Sequence, residues 1–118
     1  MKAISLHQPW ASCIADGQKT IETRKWQTHY RGELLIVSTQ KPKLEGFPTG
    51  QALCTVTLYD CVPMEKKHCR QSGCAYDPDL WAWMLRDIRA ITPFPVKGYQ
   101  GFYEVDSFES RRFFECDK

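Results

Sequence analysis

The sequence predicts an α+β domain, a small open or closed β-barrel with one or two short helices at its rim. Three observations predict it: a short, well punctuated helix near the N-terminus, alternating β-branched segments of strand length after it, and Gly- or Pro-bearing turns between those segments. Residues 1–118 show no composition break and no long Gly/Ser/Pro tract, so they read as a single domain. Folding at this length buries about two-thirds of the unfolded surface, enough for a core that needs no staples.

Residues 3–6 are a short apolar opening. Pro9 then suits a first helical position, where its missing N–H and fixed φ cost nothing, and a helix over 9–16 follows. Trp10, Cys13 and Ile14 recur at i, i+3 and i+4 and are the expected buried face, and Gly17 supplies a left-handed stop. Residues 20–24 alternate and are rich in β-branched side chains, which predicts a strand with Thr20, Glu22 and Arg24 on one face and Thr23 turned away.

Residues 30–32 read as a turn, and 33–38 form a near-continuous apolar run expected of a central strand. The segment 41–50 holds two prolines and two glycines and reads as a surface loop. Residues 52–59 alternate again as a strand, closed by Pro63. From 65 to 79 the chain is polar and cysteine-bearing, a loop with one helical turn entered at Pro78. Residues 81–91 satisfy both periods: Trp81, Leu85 and Ile88 fit a helix, and Trp81, Trp83 and Leu85 fit a strand, so periodicity alone leaves the choice open. Pro93 and Pro95 are expected to end this element, 98–101 to turn, and 102–105 to form a last strand before a charged tail.

Composition narrows the function classes. With 42% hydrophobic and 25% charged residues the chain is not disordered, and a net charge of +2 is too small for a general nucleic-acid magnet, so anion binding must come from a local cluster. The N-terminus lacks the apolar run of a signal peptide, and no stretch approaches the ~20 apolar residues of a membrane span, which predicts a cytoplasmic protein without a membrane partner. In that compartment the six cysteines are expected as thiols, with Cys13 and Cys54 in the core. Cys61, His68, Cys69 and Cys74 lack a C-x2-C pair and match no zinc template, so no metal site is expected, and nothing implies a cofactor.

The local cluster is GQKTIETR at 17–24. Lys19 offers a compact charge, Arg24 a planar fork able to pair bidentately with phosphate or a base edge, and Glu22 between them an acceptor for an exocyclic amine or a general base. Glu22 and Arg24 are also placed to neutralise each other without any further role. Trp26 and Tyr30, just past the strand, are candidates for stacking a base, and the basic aromatic turn 97–101 for touching a phosphate backbone. Trp10 is favoured as core.

The pattern G-x-K-x-x-E-x-R after a QPWAS helix resembles the ASCH domain (activating signal cointegrator homology). The resemblance continues through Trp26 and residues 30–32, and again through WAWMLRDIRAITPFPVKGYQGFYEV at 81–105. It implies a β-barrel of the pseudouridine-synthase-and-archaeosine-transglycosylase (PUA) type, in which 81–91 is mostly strand. It also implies a partner, RNA or a nucleotide-like small molecule, in a cleft at this motif, with Gly17, Lys19, Glu22, Arg24, Trp26 and Tyr30 as ligand-binding residues. Some relatives are hydrolases of an acetylated cytidine or ribonucleases. The acetylcytidine branch has a threonine nucleophile where this sequence has Glu22, so Lys19 carries over from that branch and its reaction does not.

Three readings follow. The first is a binding module for RNA or a nucleotide. In the second, a hydrolase of RNA or of a modified nucleoside, Lys19 and Glu22 are the catalytic residues, Lys19 being activated by Arg24. In the third, a protein-interaction module docks through Trp81 and Trp83, provided those rings are exposed.

Overall fold

The computed structural model describes residues 1–106; the remainder of the charged tail, with Cys116, lies outside the described residues. Among the described residues six strands form one sheet: β1 (Lys2–Leu6), β2 (Ile21–Arg24), β3 (Gly32–Ser38), β4 (Gln51–Pro63), β5 (Trp81–Pro95) and β6 (Tyr103–Glu104). Two short helices accompany them, α1 (Trp10–Ala15) and α2 (Cys69–Ser72), the latter entered through a 3₁₀ turn (Lys66–His68). The strand order is β2-β5-β4-β3-β1-β6, and among the described residues only the β1–β3 pair is parallel.

The apolar run of β3 puts Leu34 and Ile36 into one core cluster and Leu35 and Val37 into another on the opposite face. A central strand covered on both sides needs such an uninterrupted run. α1 closes the first cluster with Ala11 and Ile14, and Trp83 is its largest buried side chain, while Phe94 and Val105 help to fill the second.

Residues 81–91 are strand, within a β5 that runs past Pro93 to Pro95. Among the described residues β2 pairs only with Trp81–Met84, so beyond Met84 only β4 is paired with β5, and a proline is tolerated in a strand where its missing N–H points away from a partner. Against β4, the register steps from Thr55–Arg89 to Thr57–Arg86. The extra residue is accommodated by Asp87 at φ +54°, a bulge that bends the strand. The helical turn expected at Pro78 forms earlier, over 66–72, where His68 Nδ1 accepts from the Glu65 N–H at 3.0 Å as part of a capping box.

The barrel is not closed by hydrogen bonds: among the described residues β2 and β6 are the ends of the order and do not pair. The two ends meet through rings instead. Phe102, just before β6, lies 5.4 Å from Trp26, which follows β2, and 5.5 Å from Trp83 of β5. β6 reaches only Lys2 and Ala3, so the Ser5–Leu6 end of β1 faces β2 across an unpaired seam.

Candidate functional site

A cleft of about 640 Å³ opens along that seam. Its walls are the end of β1 with His7, Trp10 of α1, β2 with Lys19 before it and Trp26 after it, Thr39, the end of α2 through Cys74, and the loop carrying Tyr99, Gln100 and Gly101. A cleft here follows from the topology, since an incompletely closed sheet leaves a gap that neither strand fills.

Lys19 is aimed into the gap by the end of α1. Gly17 adopts φ +82°, and the N–H groups of Gln18 and Lys19 both return to the Cys13 carbonyl, at 2.9 and 3.0 Å. Only 5% of Lys19 is exposed. Its Nζ donates to the Ser72 carbonyl, lies 3.4 Å from Glu22 Oε1 and sits 5.5 Å from the centre of the Trp10 ring. Glu22 Oε2 is 3.1 Å from Arg24 Nε, and Arg24 Nη2 donates to the Ser5 carbonyl at 2.9 Å.

The last bond crosses the seam and satisfies a carbonyl that β6 does not reach. Arg24 Nε is buried and has no hydrogen-bond partner, because the carboxylate, although close, lies off its N–H direction; the Glu22–Arg24 contact is an ion pair without that bond. Two cations therefore flank one carboxylate, each cation tied to a main-chain carbonyl of another element. Removing one member leaves the others buried and unbalanced, which is costly.

Three cleft-lining rings are exposed, Trp10 at 42%, Trp26 at 39% and Tyr99 at 57%. Trp10 is thus not core. In a six-residue helix Ala11 and Ile14 take the buried face, Cys13 is half-buried, and the Trp10 ring lies on Gly73, where a β-carbon would come within 3.2 Å of it. Trp26 stands edge-on to the buried Trp83 at 4.7 Å, and its carbonyl accepts from Trp83 Nε1 at 3.3 Å. Tyr99 meets Tyr103 edge-on at 5.5 Å with Lys97 Nζ 5.7 Å from its ring, so the basic aromatic turn does border the cleft. His7 Nδ1 is 2.9 Å from Thr39 Oγ1. Burial pushes the Tyr103 hydroxyl upward, opposed by its 2.6 Å hydrogen bond to Ser5 Oγ.

Of the residues expected at the site, the structure brings together Lys19, Glu22, Arg24 and Trp26. Gly17 shapes the turn without lining the cleft. Tyr30 is outside it: its hydroxyl donates to the Glu33 carbonyl at 2.5 Å and its ring packs on Phe102 at 5.6 Å. Burial, then Glu33 and Glu104, push the Tyr30 hydroxyl upward. Thr23, expected to face away, contributes to the wall, with Oγ1 3.5 Å from Cys74 Sγ. Ser72, Gly73 and Cys74 come from a segment of no clear period, and no sequence signal singles them out. Among the described residues no three His, Cys, Asp or Glu side chains converge as a metal site.

Trp83 is fully buried and Trp81 is half-buried against the core, so the two exposed rings that the protein-interaction reading requires are not both present. No helix among the described residues is long and apolar enough to cross a membrane.

The sequence model of one family, the ASCH domain, matches residues 4–109. The chain belongs to the ASCH domain family. Activating signal cointegrator 1 of Homo sapiens and that of Mus musculus are each 28% identical to this ASCH chain over 128 residues, covering 88% of it. The chain spans 22% of the length of these curated relatives. The crystal structure of ASCH from Zymomonas mobilis superposes with a TM-score of 0.72 at 18% identity, covering 94% of this chain and 91% of that one. A tyrosine-to-phenylalanine variant of the same protein gives 0.70 at 18% identity and 94% coverage of both chains. These superpositions establish the ASCH fold of the chain.

Proposed function

We propose that this ASCH domain binds RNA or a nucleotide-like ligand in the seam cleft, with Lys19 and Arg24 supplying positive charge and Glu22 accepting from a base amine. The observation that carries the reading is the pairing of this charged group with three exposed rings, Trp10, Trp26 and Tyr99, in one cleft. A base stacked on an aromatic ring gains ~1–3 kcal/mol irrespective of sequence, and exposed rings around a cationic floor are what such binding needs. Family membership supports it, since the resemblance already pointed to nucleic-acid-like ligands.

The hydrolase reading has less support. Lys19 Nζ is engaged by the Ser72 carbonyl and Glu22, and the walls are open aromatic surface in place of a small, water-excluding chamber. The test is fluorescence titration of the domain with a short single-stranded RNA, following Trp10 and Trp26. Saturable quenching that weakens on Arg24→Ala and Trp26→Ala is expected; no binding by the unaltered protein sinks the proposal. RNA shortened during the titration by the unaltered protein and not by Lys19→Ala would favour the hydrolase.

A further inference from the structure

We infer that the cleft holds its ligand through one phosphodiester charge, the internal linkage of a single strand, and does not accommodate a terminal di- or triphosphate. The inference rests on the nucleic-acid reading of this cleft and concerns which form of nucleotide it takes.

Charge is the first argument. Lys19 and Arg24 contribute two positive charges to the wall and Glu22 one negative, and these three are in contact, so the group presents a net single positive charge. Lys97 does not line the cleft and holds its ammonium 5.7 Å from the centre of the Tyr99 ring. A triphosphate brings about four negative charges at neutral pH and would leave most of them unbalanced beside the Glu22 carboxylate.

Donor supply is the second. Phosphate chains are held by several N–H groups aimed at one point, from a glycine-rich loop or helix start. Several donors here are already engaged: Lys19 Nζ with the Ser72 carbonyl and Glu22, Arg24 Nη2 with the Ser5 carbonyl, and the Gly73 N–H with the Cys69 carbonyl. Arg24 Nε lies 3.1 Å from Glu22 Oε2 without donating to it. Arg24 Nε has no hydrogen-bond partner, and Nη1 carries two further N–H donors. Part of the Nε–Nη2 edge of Arg24 is thus spent on the Ser5 carbonyl beside the Glu22 carboxylate, and its Nη1 amino group suits one oxygen of a linkage.

Shape is the third. Three exposed rings on separate elements of the same cleft give more stacking surface than one base uses, which suits two bases joined by a linkage.

The experiment titrates the full chain with four probes at low and moderate salt: a dinucleoside monophosphate, its neutral methylphosphonate isostere, the matching nucleoside triphosphate, and inorganic pyrophosphate. The expected result is that the dinucleoside monophosphate binds at least about tenfold more tightly than the triphosphate, that the isostere loses affinity, and that log K falls with log salt at a slope near −0.7, the value for about one neutralised phosphate. Triphosphate or pyrophosphate binding as tightly, an isostere binding unchanged, or a slope of about −2 or steeper overturns the inference while leaving nucleotide binding intact. Absence of binding by every probe, together with a short RNA, overturns both.

Discussion

Gly98 lies so close to Ser5 that a β-carbon at position 98 would stand 2.6 Å from Ser5 Oγ. The same serine uses that hydroxyl on Tyr103, at 2.6 Å, and its carbonyl on Arg24, at 2.9 Å. One residue of β1 thus joins the charged floor of the cleft to the loop that carries Tyr99, and the fit depends on position 98 having no side chain. The constraint is steric, since the Gly98 backbone is not in the left-handed region.

Gly98→Ala is accordingly expected to displace the Tyr99 wall. RNA affinity should fall about fivefold or more, a fraction of one stacking contact, with the salt slope unchanged because no charge is lost. Overpacking should also cost ~1–2 kcal/mol of stability. Tyr99→Ala should reproduce the affinity loss without the stability loss. The pair is read by fluorescence titration at two salt concentrations and by urea denaturation. Unaltered affinity in both variants would remove Tyr99 from the site.

The Lys19–Glu22–Arg24 group should behave as one unit. Lys19→Ala strips a partner from Glu22 and from the Ser72 carbonyl in a buried setting, with an expected loss of ~2–4 kcal/mol. Adding Glu22→Ala to that variant should cost less than it does in the unaltered protein, with a coupling of ~1 kcal/mol or more in a double-mutant cycle. Additive losses would mean that the two side chains are energetically independent.

Much of this was legible in the sequence. Alternation placed Glu22 and Arg24 side by side on β2, the apolar run of β3 marked the centre of the sheet, and the Gly17 stop was readable as punctuation. What was not legible depended on contacts distant along the chain. The seat for Trp10 is Gly73, and Lys19's main-chain partner is Ser72, which lies in a stretch with no period to read. In a helix as short as α1 the i, i+3 rule fits more than one face, so only packing could choose Ala11 and Ile14 over Trp10. Barrel closure failed similarly: whether β2 and β6 pair depends on where rings such as Phe102 come to rest, which strand periodicity does not encode.

The two tryptophans in edge-on contact should separate stability from binding. Trp83 is fully buried and donates to the Trp26 carbonyl, so Trp83→Ala should lose ~3–5 kcal/mol. Trp26, on the surface, should lose far less stability on change to Ala and yet weaken RNA binding by an amount of ~1–3 kcal/mol. Thermal denaturation and titration of both variants check this. A Trp26→Ala protein that binds normally would confine that ring to support of Trp83.

Cys54 makes the alkaline limb of stability predictable. Burial pushes its thiol from an ordinary 9.0 up to about 12. Between those values the folded chain keeps a proton that the unfolded chain releases, so stability is full below 9.0 and falls as pH rises toward 12. Across the whole window the loss is on the order of 4 kcal/mol. Tyr30 and Tyr103, both also raised, add to the decline from above their ordinary 10.0, so the unaltered protein alone does not isolate Cys54. The comparison with Cys54→Ala does. The variant should be less stable near neutral pH because of the small cavity, and its deficit should shrink, then reverse, as pH rises beyond 9.0. Urea unfolding of both proteins at successive pH values reads that gap directly. A deficit that stays constant across the range would show that the thiol titrates alike in the folded and unfolded chains, and the buried position of Cys54 would then have no bearing on alkaline stability.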